Sequence, residues 1–263
     1  MQDESVILKI DQTIATLTLN RPLVRNAFDD TVIQLLTEHL YAISENEEIQ
    51  VVILRGEGDH FSAGADIQWM KKMAVTPKDE NRKDALKLSQ LMYSLYYLNK
   101  PIIALVQGSV FGGAMGLIAA SDIVIADPNT IFCLSEVKLG LVAAVAGPYV
   151  VKAMGARLAR RYMLTAETFS AEKAKALNLV HEIVPEKDLS IFLERLINIL
   201  KSNGPKALAT TKHLLHTLVD EPHSLQSQLA FTADLIAEVR SSPEAKEGLS
   251  AFLEKRKPFW QEV

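Results

Sequence analysis

The sequence predicts an α/β fold, with a largely parallel sheet in the N-terminal part and a helical C-terminal part. Three observations predict it. Short, wholly apolar runs at 51–54, 102–106 and 123–126 read as strands buried on both faces. Amphipathic helical stretches lie between them, which is the order of crossover units on a parallel sheet. Beyond Pro148 strand patterning nearly vanishes and helical periodicity takes over.

Each element has a local reason. Residues 6–20 alternate apolar and polar with a polar break at Asp11-Gln12, so they read as a hairpin that Arg21-Pro22 closes. In 29–43, Val32, Leu35, Leu36, Leu40 and Ile43 fall on one helical face. Gly56 and Gly58 bound the apolar run 51–54, and a short helix is expected at 67–73. Residues 81–98 form an amphipathic helix stopped by Lys100-Pro101, and 112–120 read as a buried helix of small and apolar residues. Helices are then expected at 156–164, 171–177, 188–201, 205–219, 225–240 and 243–255, with a breaker at Ser202-Asn203-Gly204-Pro205. A short helical tail rarely buries its own core, so packing on the α/β part or on another subunit is expected.

Composition narrows the function. The chain has 263 residues, 48% of them apolar and 23% charged, which is globular composition. Its 28 Lys+Arg against 32 Asp+Glu leave a net charge of −4, unlike a general nucleic-acid or anionic-membrane binder. One cysteine, Cys133, excludes an internal disulfide and a cysteine-rich metal site and fits a reducing compartment. No secretory signal is visible in MQDESVILKI, and no apolar run reaches the roughly 20 residues needed to span a bilayer. A cytoplasmic, soluble chain is expected.

Three segments can carry chemistry. Gly112-Gly113, with Gly116 one turn on, sits between a buried strand and a buried helix, where glycine admits close approach and a helix start offers free N–H groups. Helix–sheet packing explains the same glycines. The loop His60–Asp66 follows the strand at 51–54, and its small residues again expose backbone N–H groups, with Asp66 placed to cap the next helix. Two such loops can aim two donors at one carbonyl oxygen. Glu136, between apolar residues, can hold a carboxyl with a raised pKa suited to proton transfer, or pair with Lys138. The six histidines, including His213 and His216 on one helix and His223, show no metal spacing with a partner acid.

The chain resembles the enoyl-CoA hydratase/isomerase (crotonase) family over nearly its whole length. The carriers are NRPLVRNA at 20–27, FSAGADI at 61–67, GSVFGGAMG at 108–116, SDIVIAD at 121–127, FCLSEVKLGL at 132–141, TAETFSAEKAKALNLV at 165–180 and EGLSAFLEKRKPFW at 247–260. Seven segments in one order make the resemblance specific. It implies a ββα spiral core over 1–195 and a helical trimerisation region over 196–263, giving a homotrimer or homohexamer. It implies an acyl-CoA thioester substrate, with coenzyme A entering only as part of it and no metal or other cofactor. The N–H groups of Ala65 and Gly113 would form an oxyanion hole, and Glu136 would be the proton-handling acid. Arg25, Ala27, Ala63, Asp66, Ile67, Gln68, Gly112 and Gly116 would lie along the CoA chain and acyl group.

The sequence also departs from the family. Its hydratases carry two glutamates, and the first falls here on Gly116, which has no side chain. The stretch after Glu136 reads LVAAVAGPYV, more apolar than usual. The pairing GGAMGL…FCLSEVKLGL resembles a branch acting on branched, carboxylated enoyl-CoA esters such as 3-methylglutaconyl-CoA of leucine breakdown. The leading expectation is hydration of such an ester. Isomerisation with one glutamate and a non-catalytic acyl-CoA-binding scaffold are the alternatives.

Overall fold

The computed structural model describes residues 4–220 and 224–261. In chain order the elements are β1 (Val6–Asp11), β2 (Ile14–Leu19), α1 (Asp30–Glu45), β3 (Val51–Gly56), α2 (Ile67–Ala74), α3 (Lys78–Tyr96), β4 (Ile102–Val106), β5 (Ser109–Phe111), α4 (Gly113–Ala119), β6 (Ile123–Ala126) and β7 (Ile131–Cys133). There follow α5 (Gly147–Met154), α6 (Ala156–Thr165), β8 (Phe169–Ser170), α7 (Ala171–Ala176), β9 (Glu182–Ile183), α8 (Glu186–Lys201), α9 (Pro205–Asp220), α10 (Leu225–Ser241) and α11 (Pro243–Glu254).

The main sheet runs β1-β2-β3-β4-β6-β9. β1 and β2 pair antiparallel through a tight turn in which Gln12 takes a left-handed conformation, and every later neighbour pairs parallel. The three apolar runs are thus adjacent central strands, and β4 is buried throughout. A second, small sheet was not expected from the sequence. β5 and β7 pair parallel, and β7 and β8 antiparallel. Strands of two or three residues leave too little alternation to read. The helix α5 was not expected either: it is only eight residues long, and its buried face is just Gly147, Val150 and Met154.

The chain forms two compact units. One takes in the described residues up to Leu98 and Ile102–Ser190; the other takes in Asn99–Pro101 and the described residues from Ile191 onward. The first holds the main apolar core, with Phe28, Phe61 and Phe132 among its fully buried side chains. Burying each such side chain stabilises the fold by about 1.5–3 kcal/mol.

The second unit is helical and is tied by polar contacts. Glu244, at the start of α11, is 8% exposed, and its two carboxylate oxygens accept the Lys206 and Ala207 N–H groups. A carboxylate from another helix therefore satisfies the N-terminus of α9. The buried Lys212 donates from Nζ to the Lys100 carbonyl at 2.9 Å. The Trp260 ring lies against Gly248, where a Cβ would come within 3.0 Å of it, and its Nε1 donates to the Ser202 carbonyl.

Candidate active site

The site begins with the loop after β2. Arg25 and Asn26 both take left-handed backbone conformations, at φ 54° and 53°. Asparagine tolerates that region, and this one is almost fully buried. Its Oδ1 accepts the Arg21 N–H, and its Nδ2 donates to the Glu57 and His60 carbonyls. The amide therefore clamps the 20–27 loop to the loop after β3. The Arg21 guanidinium adds a second clamp, reaching Asp29 at 3.0 Å and Asp66 at 3.2 Å. Those aspartates are the N-caps of α1 and α2.

In the next loop the buried Ser62 hydroxyl donates to the Asn26 carbonyl and accepts the Gly64 N–H. Gly64 stands at φ 88°, and a Cβ there would lie 2.6 Å from the Phe111 carbonyl oxygen and 3.5 Å from Gly113 N. Only glycine fits, and its absent side chain lets this loop lie against the start of α4. Ala65 pairs with Phe28 through bonds that involve Gly64 O and Asp66 N, so its own N–H points away from Phe28. Gly113 opens α4, so its N–H has no partner within the helix. Neither N–H meets an acceptor among the described residues. A Cβ at Gly113 would meet the Phe28 ring at 2.8 Å, so packing favours glycine there.

The small sheet brings in the third segment. β5 lies between Ser62, its bridge partner in the second loop, and β7. The Gly112 N–H donates to the Cys133 carbonyl, which holds the turn before α4 against the chain entering Glu136. Gly112 is left-handed, at φ 54°, and the space over it is bordered by Ser135 Oγ and Glu136 Oε1, which would lie 3.6 and 3.7 Å from a Cβ. Glu136 Oε2 is buried with no hydrogen-bond partner. Burial pushes the Glu136 carboxyl above its ordinary range, opposed only in part by its own backbone N–H. Lys138 forms no ion pair with it among the described residues.

The other expected residues fall as follows. Arg25, Ile67 and Gln68 are exposed, while Ala63 and Asp66 are half-buried. Ala63 N–H donates to the Arg25 carbonyl. Burial alone would raise the Asp66 carboxyl, but the Gln68 and Trp69 N–H groups and Arg21 outweigh it and hold it below its ordinary value. Its side chain is thus engaged as a cap. Ala27 is buried, and its carbonyl accepts from Arg21, which places it in the scaffold. At Gly116 a Cβ would stand 2.9 Å from Ala146 Cβ and 3.0 Å from Met92 Cε, so those two side chains occupy the space directly over it. His60, in the second loop, accepts the Ser109 N–H at Nδ1. His223 lies outside the described residues.

Arg21, Asn26, Ser62 and Ser135 were not singled out in the sequence. The Asn26 signal was present in NRPLVRNA, but a left-handed buried asparagine cannot be told from a surface one without its partners. Among the described residues no group of His, Cys, Asp and Glu could hold a metal ion, and no helix is long and apolar enough to cross a membrane.

The chain is similar to known proteins over nearly its whole length. A crystal structure of an enoyl-CoA hydratase from Shewanella pealeana superposes with a TM-score of 0.93 at 45% identity, covering 97% of this chain and 95% of that one. The 2,3-dehydroadipyl-CoA hydratase of Escherichia coli K12 is 32% identical over 96% of this chain and 97% of its own. The short-chain-enoyl-CoA hydratase of Clostridium acetobutylicum is 30% identical over 98% and 97%. The family model for enoyl-CoA hydratase/isomerase matches residues 9–263, and the chain belongs to that family, with its crotonase-like α/β fold.

Proposed function

We propose that this protein is an enoyl-CoA hydratase that adds water across the α,β double bond of a branched, carboxylated acyl-CoA thioester of the methylglutaconyl type. The observation that carries the hydratase reading is Glu136, a half-buried carboxyl whose Oε2 is buried without a hydrogen-bond partner and which faces the turn from which α4 starts. The Ala65 and Gly113 N–H groups receive the thioester carbonyl oxygen. They stabilise the charge that develops there when the double bond is polarised, a contribution of about 3–4 kcal/mol for each such donor. The raised pKa of Glu136 suits a group that gives a proton to the α-carbon and takes one back from water. Arg25, which is exposed, lies along the CoA chain in this reading. The CoA moiety is part of the substrate, and the chemistry asks for no other cofactor.

The branched substrate rests on the segments around Glu136, and its carboxyl group is supported also by the Escherichia coli relative, whose name specifies a dicarboxylic enoyl-CoA. The isomerase reading is favoured by one observation, the glycine at 116, since moving a double bond needs only one acid. Incubation with crotonyl-CoA and 3-methylglutaconyl-CoA separates the readings. Loss of conjugated-thioester absorbance with a hydroxyacyl product establishes hydration. A shifted double bond establishes isomerisation, and no change with either ester points to the scaffold.

A further inference from the structure

We infer that Ser135 is a water-positioning residue of this site, its hydroxyl holding the water that adds to the β-carbon. The inference rests on the hydratase reading above. Addition of water needs a polar group besides the proton-handling acid, and packing leaves few candidates. Position 116 is glycine under Met92 and Ala146. The Asp66 carboxylate is spent on two backbone N–H groups and Arg21. Asp122 accepts the Ile102 N–H, and the Cys133 thiol donates to the Ala166 carbonyl. Ser135 remains. It is half-buried, and its Oγ has no hydrogen bond to any described residue. With Glu136 Oε1 it borders the position over Gly112, where a Cβ would make ordinary contact with both. It precedes a 3-10 turn but caps nothing, so no structural role accounts for the hydroxyl.

The step balances without a further reactant. The water on Ser135 attacks the β-carbon, and the π pair moves onto the thioester carbonyl oxygen as an enolate held by the two N–H groups. As the enolate collapses, its pair takes the proton of protonated Glu136 at the α-carbon, and the water's surplus proton passes to the Glu136 carboxylate. Ser135 accepts a hydrogen bond from that water throughout and is not consumed.

The test compares two reactions of the full-length protein. Hydration of crotonyl-CoA and 3-methylglutaconyl-CoA needs the water. Exchange of the α-hydrogen of butyryl-CoA with deuterium from solvent needs only Glu136 and the carbonyl-binding N–H groups. Ser135→Ala is expected to lower kcat for hydration on the order of 10–100-fold while leaving exchange unchanged. Ser135→Thr, which keeps a hydroxyl, is expected to restore most of the hydration. Glu136→Gln is expected to abolish both reactions. Equal hydration by Ser135→Ala and the parent overturns the inference, and so does an equal loss of both reactions, which would mark a packing role. If the parent hydrates neither ester, the hydratase reading itself falls and this inference with it.

Discussion

Glu136 is held in a state that favours proton exchange at a cost in stability. Burial raises its pKa in the folded protein, so the folded state binds its proton more tightly than the unfolded chain does. Its stabilising contribution is therefore fully present below the unfolded pKa and is lost as pH rises through the folded one. Glu136→Gln removes that dependence. Its melting temperature should gain on the parent's as pH rises through that interval, and thermal melts at a series of pH values check this. The same variant should lower kcat by a factor on the order of 10²–10⁴ with thioester binding little changed, since the amide keeps shape and loses the transferable proton. Gly116 behaves oppositely. Gly116→Glu puts a carboxylate into contact with Met92 and Ala146, so it should cost upwards of about 1–3 kcal/mol from overpacking alone. Denaturant melts should show that loss, and no gain of hydration on linear enoyl-CoA should accompany it.

Helix ends carry much of the organisation. Asp29 and Asp66 cap α1 and α2, and one guanidinium, Arg21, ties both caps together, so the loop bearing Ala65 is fixed from two sides. The small sheet does the same for the other donor, because β5 carries the chain from the bridge with Ser62 directly into Gly112-Gly113. Glu244 is the clearest case in the helical unit. Glu244→Ala would leave the Lys206 and Ala207 N–H groups without their buried acceptor, at a cost of about 1–3 kcal/mol each if they stay dry. Urea melts should show that destabilisation, with the loss concentrated in α9 when followed by amide exchange.

The helices from α9 onward present Leu215, Val219, Leu229, Leu249, Phe252 and Leu253 more than half exposed. So much apolar surface on one short helical stretch is unusual for a monomer, and it motivates the proposal of a homotrimer or homohexamer. Light scattering at micromolar concentration should give three or six times 29.1 kDa. A mass of one chain would count against it. Replacing Phe252 and Leu253 with serine should shift the mass toward the single chain while leaving the fold intact, since both side chains are about four-fifths exposed.

The sequence by itself determined the central parallel strands, because burial on both faces demands unbroken apolar runs at 51–54, 102–106 and 123–126. It determined the helices whose apolar faces are periodic, and it marked the two small-residue loops and Glu136 as the places for chemistry. Tertiary structure decided what those places can do. Nothing local distinguishes a glycine with room for a Cβ from one without: at Gly112 a Cβ would make ordinary contact with Ser135 and Glu136, whereas at Gly116, four residues on, it would press on Met92 and Ala146. The environment of Glu136 is equally non-local. Its burial and its missing partner arise because a strand of three residues, β7, pairs with β5 and brings it to the start of α4. Such pairings depend on long-range contacts that leave no period in the chain, so only the folded structure shows which residues meet.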